Sequence, residues 1–176
     1  MSSMVQFKRI KADDEKEIEA LSAIAKEIIK EHYDPIIGAE QNDYMINMFQ
    51  SVEAIKRQLA QDHLFYMVKD GDKNIGYFAF YEKEGQLYLD KYYIHKNARG
   101  NGYGSAAMQI IKGLGREAGY THIFLNVNKH NTDSINMYKH MGFKLKREEK
   151  NPIGNGYFMD DYVLECEIGD TPCSGE

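Results

Sequence analysis

The chain has 176 residues, of which 43% are hydrophobic and 28% charged, and a formal net charge of −5. That balance excludes a disordered polymer and a membrane-embedded bundle, and the acidic sign argues against a nucleic-acid surface, which needs a basic stripe. An acidic surface suits a cationic small substrate, although solubility alone accounts for the same charge. The length fits one domain, expected over residues 1–168, with the remainder from Gly169 to Glu176 a disordered tail. Cys166 and Cys173 make neither a disulfide framework nor a metal quartet. The opening MSSMVQFKRIKADDEKE has no apolar signal core, and no apolar run approaches ~18 residues, so the expectation is a cytoplasmic protein without a membrane partner.

Val5 to Ile10 reads as a first strand. Asp14 then starts a helix in which Ile18, Leu21, Ala25 and Ile28 fall on one face, with an end expected by Asp34-Pro35 because proline biases the residue before it away from the α region. A short helix around Tyr44 to Phe49 and another from the N-cap Ser51 to about Gln61 follow, with Tyr33 and Tyr44 expected to pack. Leu64 to Lys69, Ile75 to Glu82 and Gln86 to Ile94 are strand-like runs with short turns between them, an antiparallel meander.

The next stretch, YYIHKNARGNGYGS from Tyr92 to Ser105, passes from strand into a glycine-rich loop and then a helix. Ala107, Ile110, Ile111, Leu114 and Ala118 have the spacing of one buried helical face. The first turn of such a helix leaves backbone N–H groups unpaired, and Gly100, Gly102 and Gly104 let a ligand approach them and permit positive φ. With the helix dipole and the cation Arg99, the junction suits phosphate or pyrophosphate; an ordinary tight turn is the plainer reading. No Gly-Lys-Ser/Thr follows, which excludes a Walker loop. Gly102 to Ala107 fits G-x-G-x-x-A, but the acid that a dinucleotide fingerprint wants about 20 residues on is missing from Leu125-Asn126-Val127-Asn128, and a meander is not a Rossmann unit.

Beyond the loop helix, which ends around Gly119, His122 to Asn128 is a strand parallel to its predecessor through the crossover. A helix from about Thr132 to Met141 stops at Gly142, and strands Phe143 to Arg147 and Tyr157 to Ile168 flank an expected loop, Asn151 to Gly156. No H-E-x-x-H or cysteine pairing joins the histidines, so no metal is expected.

R-x-x-G-x-G from Arg99 through Gly102 to Gly104, followed downstream by Leu125-x-Val127-x-x-x-Asn131-x-x-Ser134-x-x-x-Tyr138-x-x-x-Gly142-Phe143, resembles the two signatures of the GNAT superfamily of N-acetyltransferases, in order. The specific motifs lie between about Leu87 and Phe143, and the likeness covers nearly the whole chain. It implies an α+β fold: a mixed, mostly antiparallel sheet flanked by helices, with one central parallel strand pair. It also implies acetyl-CoA as acyl donor. Arg99, Gly100, Asn101, Gly102, Tyr103, Gly104 and Ser105 would hold its pyrophosphate, the backbone of Tyr92, Tyr93 and Ile94 would pair with pantetheine, and Asn131 would hydrogen-bond the same arm.

Tyr138 holds the family's general-acid position, and a phenol with a pKa near 10 suits protonation of a leaving thiolate; its other reading is a helix-face packing residue. Positions from which an acid or histidine often serves as base are Asp90 and Tyr88, so Asp90 is the candidate, its other reading being a structural acid beside a cation. The expected reaction is direct acetyl transfer to a small primary amine. His32 to Ile55 and Gly156 to Tyr162 resemble bacterial polyamine acetyltransferases, which nominates spermidine-like acceptors. A protein N-terminus or lysine as acceptor, and a non-catalytic CoA-binding module, are the alternatives. Homodimers are common in this superfamily, and the sequence marks no interface.

Overall fold

The computed structural model describes residues 5–169. Of the tail expected to be disordered, Gly169 is described, its carbonyl accepting from Arg116 Nε at 2.8 Å; the rest of that tail, Cys173 included, lies outside the described residues. The strands are β1 (Val5–Arg9), β2 (Leu64–Asp70), β3 (Lys73–Lys83), β4 (Gln86–Ile94), β5 (His122–Asn128), β6 (Lys144–Gly154) and β7 (Tyr157–Glu167). The helices are α1 (Glu15–Ile37), α2 (Ala39–Gln50), α3 (Val52–Ala60), α4 (Tyr103–Glu117) and α5 (Thr132–His140). The strands form a seven-stranded sheet in the order β1-β2-β3-β4-β5-β7-β6. The β4–β5 pair is parallel and β1–β2, β2–β3, β5–β7 and β6–β7 are antiparallel, the mixed α+β architecture expected. The chain divides into two compact units, one running to Tyr81 and resuming over Lys91–Ala107, the other made of Glu82–Asp90 and the chain from Met108.

In the first unit the predicted face of α1 is buried: Ile18, Leu21, Ala25 and Ile28 are at most 2% exposed and join Phe65, Met67, Tyr77 and Ala79 in one core. Each large apolar side chain so placed contributes roughly 1.5–3 kcal/mol. Helix α1 does not stop before Pro35 but runs one further turn to Ile37. Proline removes a single ladder bond so near the end, while Asn42 Nδ2 donates to the Ile29 carbonyl at 3.1 Å and to Asp34 Oδ1 at 2.8 Å, holding that turn against α2. Gly38, with φ 89°, ends it. Ser51 caps α3 as expected, its Oγ accepting from the Ala54 N–H at 3.1 Å.

In the second unit the segment expected as a loop, Asn151 to Gly156, is mostly strand. β6 continues to Gly154, and Asn155-Gly156, with φ 55° and 78°, closes a two-residue hairpin turn onto β7. Positive φ at both positions matches the twist of a hairpin, which Asn-Gly adopts readily. Pro152 is tolerated because β6 is an edge strand and its register is irregular there. The buried stripe of α4 is also rotated from the expected one. Ile110 is 38% exposed, while Met108 and Ile111 are buried. Gly115 lies on the packed side, where a Cβ would come within 2.9 Å of Ile168 and 3.1 Å of Leu87.

Candidate active site

The glycine loop begins where β4 ends. The His95 N–H donates to the Ile75 carbonyl at 2.7 Å, a short 3-10 turn covers Lys96–Ala98, and Arg99 Nε reaches back to the Ile94 carbonyl at 3.1 Å. Asn101 Nδ2 closes the turn on the Ala98 carbonyl at 2.9 Å. Gly100 and Gly102 have φ of 85° and 78°, the left-handed region that favours glycine. Gly104 does not need that freedom; its missing side chain makes room, since a Cβ there would stand 3.2 Å from the Tyr92 hydroxyl.

The first intrahelical bond of α4 runs from the Ala106 N–H to the Gly102 carbonyl at 3.0 Å. The N–H groups of Gly104 and Ser105 therefore fall outside the helix's own ladder, at its positive end. The Tyr92 hydroxyl donates to the Gly104 carbonyl, and the Tyr103 hydroxyl donates to Asp70 Oδ2 at 2.7 Å, at the end of β2. Burial pushes the Tyr92 phenol well above its ordinary pKa of 10, so it stays protonated and donating.

Tyr93, by contrast, turns its ring into the core of the first unit against Tyr77, with centroids 5.4 Å apart. Two residues beyond the sequence reading shape this strand. Gly76 of β3 admits the β4 backbone, for a Cβ would meet the Tyr93 carbonyl oxygen at 2.3 Å. Lys91, 3% exposed, donates to the Phe49 carbonyl and to Gln58 Oε1, both at 2.7 Å, and lies over the Phe65 ring. It ties α2 and α3 to β4 next to the candidate base; a lysine set between Asp90 and the aromatic pair Tyr92-Tyr93 is the available signal.

In the second unit Asp90 is half-buried on β4, two residues after Tyr88. The Tyr88 hydroxyl donates to Asn126 Oδ1 at 3.0 Å, and Asn126 Nδ2 donates to Glu149 Oε1 at 3.1 Å and Asp161 Oδ2 at 3.3 Å. Asp161 is only 3% exposed, and burial pushes its carboxyl up from 3.8 to about 6. Glu149 shifts the other way: the Asn126 amide, with help from Arg147 and Asn151, holds it below the usual carboxylate range. Sequence reasoning missed Asn126, Glu149 and Asp161, although polar residues at alternate positions of the β5 run HIFLNVN hinted at a second lining.

Tyr138 sits on α5, 8% exposed, with its ring edge against Phe143 at 5.5 Å. Asn131 is the buried N-cap of that helix, its Oδ1 accepting from the Ser134 N–H at 3.4 Å. The structure thus brings Tyr92 onto Gly104 and Arg99 onto Ile94, while Asp90 and Tyr138 stand on separate elements of the other unit. Among the described residues no group of three His, Cys, Asp or Glu side chains could hold a metal ion, and no helix is long and apolar enough to cross a membrane.

Comparison with known proteins gives this geometry a context. The family model described as acetyltransferase (GNAT) family matches residues 23–143. The chain is 29% identical over 119 residues to the peptidyl-lysine N-acetyltransferase YjaB of Salmonella typhimurium, covering 66% of this chain and 76% of that protein. Its fold is similar to that of the PaiA N-acetyltransferase from Thermoplasma acidophilum in complex with coenzyme A, with a TM-score of 0.79 and 18% identity over 95% of this chain and 99% of that one. A GCN5-related N-acetyltransferase structure from Rhodopseudomonas palustris is similar at a TM-score of 0.76 and 13% identity, over 95% and 98% of the two chains. The paired signatures, the glycine loop leading into α4 and a family match that spans most of the chain agree: this protein belongs to the GNAT family of acetyltransferases and is an acetyl-CoA-dependent N-acetyltransferase.

Proposed function

We propose that the acceptor is the primary amine of a small, polyamine-like molecule, acetylated directly within a ternary complex by a single transferase domain over residues 1–168. Acetyl-CoA is the donor substrate. Residues Arg99 to Ser105 hold its pyrophosphate, mainly through backbone N–H groups. The backbone of Tyr92, Tyr93 and Ile94 lies along pantetheine, with the Ile94 N–H toward the thioester oxygen, and Asn131 bonds the same arm. Asp90 takes the proton from the amine as its lone pair attacks the thioester carbon. The C–S bond then breaks, and Tyr138 donates its phenolic proton to the departing thiolate.

The observation that carries the choice of a small cationic acceptor is the network of Tyr88, Asn126, Glu149 and Asp161, which begins two residues before Asp90 on β4. Carboxylates of reduced exposure attract a second ammonium group, which a polyamine has. A lysine side chain of a protein is the second reading, supported by the similarity to a peptidyl-lysine N-acetyltransferase.

The test compares kcat/KM for spermidine and related diamines with that for lysine-containing peptides, following CoA thiol release and confirming product mass. A preference of about tenfold or more for the polyamine, equivalent to roughly 1.4 kcal/mol, supports the reading. A preference of the same size for the peptide assigns the protein to the second.

A further inference from the structure

We propose that Tyr92 is a positioning residue: through its side chain it fixes the first turn of α4 so that the Ser105 N–H faces a pyrophosphate, a task separate from that of its backbone. The inference rests on the reading that Arg99 to Ser105 hold the pyrophosphate of acetyl-CoA.

The argument starts from the peptide plane. The Gly104 carbonyl and the Ser105 N–H belong to one rigid unit and point in opposite directions along the helix axis. A hydroxyl bonded to the carbonyl therefore sets the direction of the N–H, and by polarising the peptide it makes that N–H a stronger donor toward the helix N-terminus. The Tyr92 hydroxyl makes this bond from β4, and the absent Cβ at Gly104 is what lets it approach. Tyr103, the first residue of α4, is held on Asp70 at the end of β2, so two phenols anchor the turn from two strands. Asn101 and Arg99 brace the loop on its β4 side, on the Ala98 and Ile94 carbonyls, and beyond the positive-φ Gly102 the two phenols hold the turn. The same residue also couples two parts of the donor: its backbone lies on the strand edge read as the pantetheine contact, and its side chain aims the turn read as the pyrophosphate contact.

The experiment uses the full chain and two donors, acetyl-CoA and S-acetylpantetheine, which carries the same thioester and arm without the pyrophosphate. The native protein should favour acetyl-CoA in kcat/KM. Tyr92→Phe should lower that preference by about fivefold, the scale of one lost hydrogen bond, mainly through KM for acetyl-CoA. Tyr103→Phe should act in the same direction by releasing the second anchor, and it serves if Tyr92→Phe folds poorly. Loss of activity in equal proportion with both donors would mean general structural support and would overturn the inference. A native protein without preference between the donors would overturn the reading of the loop, and the inference with it.

Discussion

The glycine loop and the network around Asn126 are built from opposite materials. The loop relies on backbone: positive-φ glycines and the unladdered N–H groups of a helix start, flanked by two phenols, Tyr92 on the Gly104 carbonyl and Tyr103 on the Asp70 carboxylate. The network relies on side chains, with Tyr88, Glu149 and Asp161 converging on one amide, and one of its carboxylates is pushed up by burial. A ligand common to a whole family can be met with backbone that tolerates little variation, whereas side chains can be exchanged to suit an acceptor. The difference also has an energetic sign: the backbone site imposes steric demands, and the side-chain site imposes an electrostatic penalty.

The steric demand is greatest where β3 admits the β4 backbone that leads into the loop, and it is testable first because its expected effect is largest. Gly76→Ala places a Cβ against the Tyr93 carbonyl, a contact with backbone that no rotamer relieves. The Tm should fall by roughly 10 °C, corresponding to about 3 kcal/mol. A loss of only a degree or two would show that β3 and β4 shift apart easily.

The electrostatic penalty follows in size. Because the folded-state pKa of Asp161 is raised, to about 6 from 3.8, the folded protein binds more protons than the unfolded chain between those values. This group favours folding at low pH, and that contribution is lost as pH rises through about 6. Asp161→Asn keeps an oxygen for Asn126 and removes the penalty. It should be more stable than the native protein by roughly 2–3 kcal/mol at pH 8, with the advantage vanishing near pH 4. Equal Tm values across that range would contradict the assignment. The added stability should come with a raised KM for the acceptor, the familiar exchange between stability and a working site.

Gly102→Ala has open space for its methyl group but a φ of 78°, so strain is its only direct effect. About 1–2 kcal/mol of stability should be lost, and KM for acetyl-CoA should rise several-fold as the loop relaxes. Ser51→Ala, at the N-cap of α3, should cost about 1 kcal/mol without altering either Michaelis constant, which marks the scale of an ordinary helix cap.

The two regions were unequally legible in the sequence, for the same physical reason. Glycines at alternate positions before an amphipathic run announce a backbone site because few other residues can occupy it, and the β4, α4 and β5 boundaries fell within a residue or two. The side-chain network depends on strand register. A shift between Leu145 and Arg147 in β6 sets Glu149 rather than Glu148 opposite Asp161. A one-residue offset reverses which side chains face the network, and local composition does not encode it. Where α1 passes Pro35, the contacts of Asn42 outweighed a local preference. The exposure of Ile110 reflects packing around Gly115 that periodicity alone does not locate. The Asn155-Gly156 turn, by contrast, is readable: the pair is a strong hairpin signal lying inside the longer expected loop, Asn151 to Gly156.

The most direct test of the central claim measures CoA thiol release from acetyl-CoA with spermidine as acceptor, for the native protein and Tyr138→Phe, together with acetyl-CoA affinity for both. Turnover by the native protein, reduced about 100-fold in kcat by the substitution with donor affinity retained, is the predicted result for loss of a general acid. An unchanged kcat in Tyr138→Phe would contradict that role, and a native protein that binds acetyl-CoA yet acetylates no small amine would contradict the proposed reaction.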